Sequence, residues 1–243
     1  ALASSSPESL LSLEGDKLQT SPIKGTCPQG DNLHEAAELR QTMMADEKER
    51  AEHRMLVDLM RNDLTQVAKP GTVKVGRFDV EAYANVQHLV SHITGTLRSE
   101  HNGATALQAV FPGGSITGCP RTVVCAAIDQ LEQMPRSFWT GSIGYIDVHT
   151  GRSAWNILIR TLEAHAMKGR WWASVGAGGG ITIASQPENE VEEAGWKGAA
   201  LRIAAGWMSD ERTSLATGSL GIHPMQPPAS PGVTLKTGVV QSL

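Results

Sequence analysis

The chain has 243 residues, long enough for one sizeable core or two small ones. Apolar residues make up 40% and charged residues 19%, with a formal net charge of -4, which fits a globular protein and excludes the basic footprint of a nucleic-acid binder. No apolar run approaches the roughly 20 residues that span a bilayer, so no membrane association is expected.

The opening Ala-Leu-Ala-Ser-Ser-Ser-Pro-Glu has no basic stretch followed by an apolar one, so it does not read as a secretory signal. It does not start with Met, and a fragment or trimmed chain is expected. Cys27, Cys119 and Cys125 are sparse, odd in number and without CxxC spacing. That pattern argues against a disulfide framework or a structural zinc site and for a reducing, cytoplasmic compartment.

Residues 1–26 read as strand pieces joined by turns, punctuated by Pro22 and Gly25. From His34 to Leu64 the pattern is helical, with Met55, Leu56, Leu59 and Met60 on one stripe among charged residues. A turn at Pro70-Gly71 precedes a short strand around Val73, Val75 and Phe78. Val86 to Leu97 is rich in β-branched residues and reads as a strand. Residues 99–106 read as a polar loop or helix start, Phe111 to Pro120 as a Gly-rich loop, and 121–134 as a helix with Val124, Ile128 and Leu131 on one stripe.

Three strands are expected at Gly141–Val148, Ala154–Leu162 and Trp171–Ser185, with turns at Thr150-Gly151 and Lys168-Gly169. A last helix is expected from Glu188 to Trp207. Strands in meander with helices laid against them predict an α+β domain over 1–207. The Pro- and Gly-rich segment 208–243 predicts a loosely ordered tail.

Glu49 and Glu52 are three apart on one expected helix, and Glu190 and Glu193 on another. Residues at i and i+3 share a helix face, so each helix offers two carboxylates in one direction. Four such groups together require a cation, and a hard one such as Mg²⁺ suits carboxylate oxygens. The ordinary alternative is two solvated acidic faces. Lys197, four after Glu193, is either a helix-surface partner or a substrate cation.

Gly176 to Gly180 follows an apolar run but leads into Ile181-Thr182-Ile183, which is strand-like, so a dinucleotide fingerprint is rejected. The glycines either let backbone N–H groups approach an anion or mark a bend in a strand. Gly113 to Gly118 is no Walker loop, but it leads into a helix N-terminus that favours a carboxylate. Arg160 is expected inside an apolar strand, Ile157-Leu158-Ile159, where a charge needs either a protein carboxylate or a substrate carboxylate.

Several motifs in one order resemble the chorismate-binding enzymes. They are Ser6-Pro7-Glu8, Pro22-Ile23-Lys24-Gly25-Thr26, Val57 to Asp63, His88-Leu89-Val90-Ser91, the Phe111 to Gly118 loop, Gly141 to Tyr145, Ile157 to Thr161, the Gly-rich strand and the Glu190/Glu193/Lys197 helix. The resemblance covers residues 4–205 and is to the C-terminal half of the catalytic subunits. It implies a large α+β fold with antiparallel sheets flanked by helices, and chorismate as substrate.

Within that family, Lys at position 24 resembles aminodeoxychorismate synthase component I, where anthranilate synthase component I has Ala. The resemblance implies that Lys24 adds to C2 of chorismate and that Glu8 is an acid/base. It also implies that His88 assists at the ring and that Glu49, Glu52, Glu190 and Glu193 hold Mg²⁺. Ser115, Trp139, Gly178, Gly180 and Lys197 are implied as substrate contacts, with Arg160 on the enolpyruvyl carboxylate. An ammonia-supplying glutamine amidotransferase subunit is the implied partner, and p-aminobenzoate and folate synthesis the implied pathway.

The chain departs from the family pattern at Cys27, Gln29, Arg121 and Ala184. Two alternatives remain: an anthranilate synthase component I, and a non-catalytic fragment.

Overall fold

The computed structural model describes residues 1–207 apart from 84, 85, 133 and 169, together with 236–237 and 240–241. The tail expected to be loosely ordered, 208–243, lies outside the described residues but for those two short pieces.

The chain begins with four strands, β1 (Leu2–Ser4), β2 (Ser9–Glu14), β3 (Lys17–Ser21) and β4 (Ile23–Pro28). Helices α1 (Leu33–Ala45) and α2 (Glu47–Thr65) follow, then β5 (Lys74–Ala82) and β6 (Val86–Thr96). Next come α3 (Gly103–Val110), the single turn α4 (Gly114–Thr117) and α5 (Arg121–Leu131). Strands β7 (Ser142–Ile146), β8 (Ser153–Ile157), β9 (Thr161–Met167), β10 (Arg170–Ala177) and β11 (Gly180–Ile181) lead to α6 (Pro187–Ala204). The short strands β12 (Lys236–Thr237) and β13 (Val240–Gln241) complete the described elements. Helices with antiparallel sheets make this an α+β protein of the expected class. Among the described residues no helix is long and apolar enough to cross a membrane.

The chain forms two compact units. The first holds Glu8–Ile116 and Ser142–Ile157; the second holds Ala1–Pro7, Thr117–Gly141 and the described residues from Leu158 onward.

In the first unit the sheet order is β4-β6-β3-β2-β8-β7, with β5 on the other edge of β6. The 11-residue β6 is long enough to pair with β4 over Val86–Val90 and with β3 over Ile93–Thr96. Helix α2 packs on this sheet, and its buried face is Glu52, His53, Leu56, Val57, Met60, Asp63 and Leu64. The i, i+4 recurrence of those residues is the helical period. Leu56 and Met60 were expected on this face, whereas Met55 is 53% exposed.

The single helix expected over 34–64 is two helices. Asp46 ends α1 with its own N–H on Thr42 O and Met43 O, and its Oδ1 accepts the Glu49 N–H at 3.0 Å. A carboxylate at the N-cap satisfies a donor that a helix start leaves without an intrahelical partner, so Asp46 divides what reads as one pattern.

In the second unit β1, β9, β10 and β12 form one sheet, and α6 packs on β10. The strand expected over Ala154–Leu162 is interrupted, ending as β8 at Ile157 and resuming as β9 at Thr161. Arg160 is therefore not inside a strand. It has φ +49°, and its carbonyl accepts the Ser5 N–H at 3.1 Å. On α5, Val124 is fully buried but Leu131 is 59% exposed, so the expected stripe is narrower than the spacing suggests.

Trp139 lies against the backbone of β10: a Cβ built on Gly176 stands 2.2 Å from its Cγ. Gly195 on α6 has open space at the same position. Gly176→Ala is therefore expected to lower stability by ~1–3 kcal/mol through overpacking, while Gly195→Ala raises it by ~0.4–1 kcal/mol. Urea titrations of the two variants check both signs.

Candidate functional site

Strand β4 carries Lys24 to the helix-covered face of its sheet through a bulge. Lys24 pairs with Leu89 and Thr26 with His88, leaving Gly25 as the inserted residue at φ +76°. Only glycine takes that backbone without strain, and a bulge re-aims the side chain beside it. A Cβ on Gly25 meets Leu89 Cβ at 3.3 Å, Met43 Sδ at 3.4 Å and Glu49 Oε2 at 3.5 Å.

The Lys24 ammonium donates to Glu52 Oε2 at 2.5 Å. Glu52 is 8% exposed, and Lys48 Nζ lies 3.8 Å from its Oε1. Burial holds the Glu49 carboxyl above the usual carboxylate range; the Lys24 charge opposes that rise and the Glu52 charge adds to it. Lys24, Glu49 and Glu52 are thus brought together.

His53 joins them and was not anticipated. It is fully buried on α2, with Nε2 2.9 Å from Ser91 Oγ and its ring edge-on to Phe78 at 4.3 Å. Its Nδ1 has no hydrogen-bond partner among the described residues. Burial, aided by the Lys24 charge, pushes its pKa down from 6.5 to about 4, so the ring is neutral at pH 7. Its position, three and four residues before Leu56 and Val57, is the signal that marks it as inward-facing.

His88 is not on the face that carries Lys24. Its neighbour Leu89 packs in the core with Met43 and Val80, and successive strand residues point to opposite faces. His88 Nδ1 lies 2.9 Å from Thr26 Oγ1, and its ring meets Tyr83 edge-on at 5.5 Å. Glu8 is buried, with its carbonyl accepting the Ile157 N–H at 3.1 Å. Ser115 sits in the single turn α4, and its buried Oγ has no hydrogen-bond partner among the described residues.

The second unit gathers Arg160, Glu190, Glu193 and Lys197. Glu190, 6% exposed, and Glu193 both reach the break between β10 and β11. There a Cβ on Gly179 stands 3.1 Å from Glu190 Oε2 and 3.7 Å from Glu193 Oε1. Gly179 lies between Gly178 and Gly180, the two glycines expected to touch substrate; its own close approach to carboxylates follows from the fold. Lys197 Nζ pairs with Glu193. Arg160 Nη1 donates to the Lys197 carbonyl at 2.9 Å, and burial lowers its pKa while Glu193 opposes that. Trp139 is 9% exposed, with the Arg136 guanidinium 5.1 Å from its ring centroid.

The first unit carries Glu49 and Glu52, and the second carries Glu190 and Glu193. Among the described residues no group of three or more His, Cys, Asp or Glu is placed to hold a metal ion. Mg²⁺ is held by one or two carboxylates with water and substrate oxygens completing its shell. Each pair is a hard oxygen set of that size, and each already carries an ammonium as counter-charge, so the residues fit such an ion.

A family model described as chorismate binding enzyme matches residues 1–202. The chain is 44% identical to anthranilate synthase component 1 of Thermococcus kodakarensis over 77% of its own length and 42% of that protein. It is also 44% identical to aminodeoxychorismate synthase component 1 of Salmonella typhimurium, over 79% of its length and 42% of that protein. The chain thus spans less than half of these curated relatives. Among the most similar relatives, anthranilate synthase component 1 is the commoner name. The crystal structure of anthranilate synthase component I from Streptococcus pneumoniae superposes with a TM-score of 0.65 at 31% identity, covering 81% of this chain and 43% of that one.

The neutral, buried His53 has a consequence for acid stability. Its folded pKa of about 4 lies below 6.5, so the unfolded chain takes up the proton first. Stability contributed by the neutral ring is present above 6.5 and is lost as pH falls toward 4, by roughly 3 kcal/mol at full protonation. Glu49, shifted upward, gains stability on acidification, but it is common to both proteins in a comparison. The stability difference between pH 7 and pH 4.5 is expected to be smaller in His53→Gln than in the parent chain, read by denaturant titration at the two pH values.

Proposed function

The chain belongs to the chorismate binding enzyme family, and from that premise we propose that it is the catalytic part of an aminodeoxychorismate synthase. On this reading it converts chorismate and ammonia to 4-amino-4-deoxychorismate in the cytoplasm, for p-aminobenzoate and folate synthesis. A glutamine amidotransferase partner supplies the ammonia. The observation that carries the reading is Lys24, a primary amine presented by a glycine bulge beside Glu49 and Glu52.

Lys24 Nζ adds to C2 of chorismate as the C4 hydroxyl leaves, and Glu8 gives that oxygen its proton. Ammonia adds at C4, the Nζ–C2 bond breaks, and one water is the net by-product. Arg160 and Lys197 offer cations to the substrate carboxylates, with Arg160 on the enolpyruvyl group. Ser115 Oγ, the Trp139 edge and the backbone of Gly178 and Gly180 orient the ring. Glu49, Glu52, Glu190 and Glu193 would be the carboxylates that hold Mg²⁺, which would supply positive charge for the ring carboxylate.

The commoner name among the relatives favours a second reading, an anthranilate synthase component I. In that case the same site releases anthranilate, and Lys24 forms no covalent bond.

Product analysis with chorismate, Mg²⁺ and ammonium separates these readings. The proposal expects 4-amino-4-deoxychorismate, its loss in Lys24→Ala, and a kcat lowered by ~10²–10⁴ in Glu8→Gln. Anthranilate as the product overturns it in favour of the second reading. Neither product nor chorismate binding, with or without Mg²⁺, marks a non-catalytic fragment.

A further inference from the structure

We propose that Lys24 is an internal counter-ion of the cation site: its ammonium occupies Glu52 until a divalent cation takes that carboxylate, and the exchange releases Lys24 toward the substrate. The inference rests on the reading above, in which Lys24 is the reacting amine and the glutamate pairs hold the cation.

The contact itself makes the argument. Lys24 and Glu52 are 28 residues apart, on a strand and a helix, and meet at 2.5 Å. This pair is set by the fold and not by helix-surface spacing. The amine that the reaction uses and the oxygen that the cation uses are the two halves of one ion pair, so both roles cannot be filled while it stands.

Glu52 is almost wholly inaccessible, and a buried carboxylate requires an opposite charge at all times. Lys48 Nζ, 3.8 Å from the other oxygen and half exposed, is too far to hydrogen-bond, so Lys24 is the close counter-charge and the arrival of another cation favours its departure. The neighbouring carboxylate gives a dication the advantage. Glu49 lies one helical turn back on the same face and reaches Gly25, beside Lys24. A doubly charged ion serves both carboxylates, whereas an ammonium is a compact single charge on a flexible stem.

The second unit also sets a lysine on a glutamate of its pair, Lys197 on Glu193, but there the contact is an i,i+4 pair on the more exposed carboxylate, with Glu190 buried beside it. In each glutamate pair a lysine is in direct contact with one of the two carboxylates. The functional consequence is an order of events: the covalent step waits for the cation, and with it for the substrate carboxylate that the cation binds.

The test is Mg²⁺ binding by titration calorimetry on the metal-free protein and three variants. Lys24→Met removes the competitor, and about fivefold tighter binding is expected. Lys24→Arg holds the carboxylate with a planar fork and is expected to bind Mg²⁺ more weakly than the parent. Lys17→Met, an exposed lysine on β3, is expected to match the parent.

A second readout needs no variant. Mg²⁺ is expected to raise the rate of reductive methylation at Lys24, followed by peptide mass spectrometry. Equal or weaker Mg²⁺ binding by Lys24→Met, or unchanged labelling of Lys24, overturns the counter-ion role while leaving the cation at the glutamates. No Mg²⁺ binding by any of the four proteins overturns the cation assignment and this inference with it.

Discussion

Helix α2 buries a single continuous face against its sheet, and the chemistry of that face changes along its length. From Leu64 through Met60 to Val57 and Leu56 it is apolar but for the buried Asp63, and burial there is driven by removing hydrocarbon from water. One turn earlier the same face presents His53 and Glu52, and beside them Glu49. The apolar half anchors the helix, and that anchorage carries the polar half out of water with it. The remaining features of the first unit's site answer the resulting electrostatic demand. Glu52 receives an ammonium, His53 stays neutral, and the Glu49 carboxyl is pushed toward its protonated form.

Two local devices set where the charges meet. Asp46 caps α2 and fixes which residues occupy its first turns, so Glu49 and Glu52 begin the buried face instead of lying in the middle of a longer helix. Gly25 inserts one residue into β4 and separates the facing of Lys24 from that of Thr26. Without the bulge, strict alternation sends residues 24 and 26 to the same face. With it, Lys24 faces the helix, while Thr26 pairs with His88 on the other side.

Much of this was legible in the sequence, for identifiable reasons. The strands at 9–28 and 86–96, the helix following the Gly-rich loop, and both glutamate pairs follow from periodicity and residue type. The order of motifs was enough for the family. What periodicity cannot carry is a change of register within one pattern. Asp46 looks like one more acidic residue on a charged helix, yet its side chain ends one helix and starts another. Arg160 reads as a charge inside an apolar strand because the left-handed turn at that position has no glycine to announce it. His53 sits beside the glutamates on the chain, but its burial depends on the helix phase, and the phase inferred from Met55 was displaced by a residue.

The glycine-rich run shows the same limit from the other direction. Spacing alone leaves a bend and an anion cradle equally open, because a glycine records only that something comes close. The fold supplies the partner. Gly176 admits the Trp139 ring, and Gly179, three residues on, admits the carboxylates of Glu190 and Glu193. One strand end thus makes two close approaches of opposite character, one apolar and one anionic, separated only by Ala177 and Gly178. The run brings the backbone to carboxylates of its own chain, so an anionic ligand at this point requires positive charge between it and the glutamates. Lys197, already on Glu193, and Arg160, held by the Lys197 carbonyl, are the cations that the second unit places there.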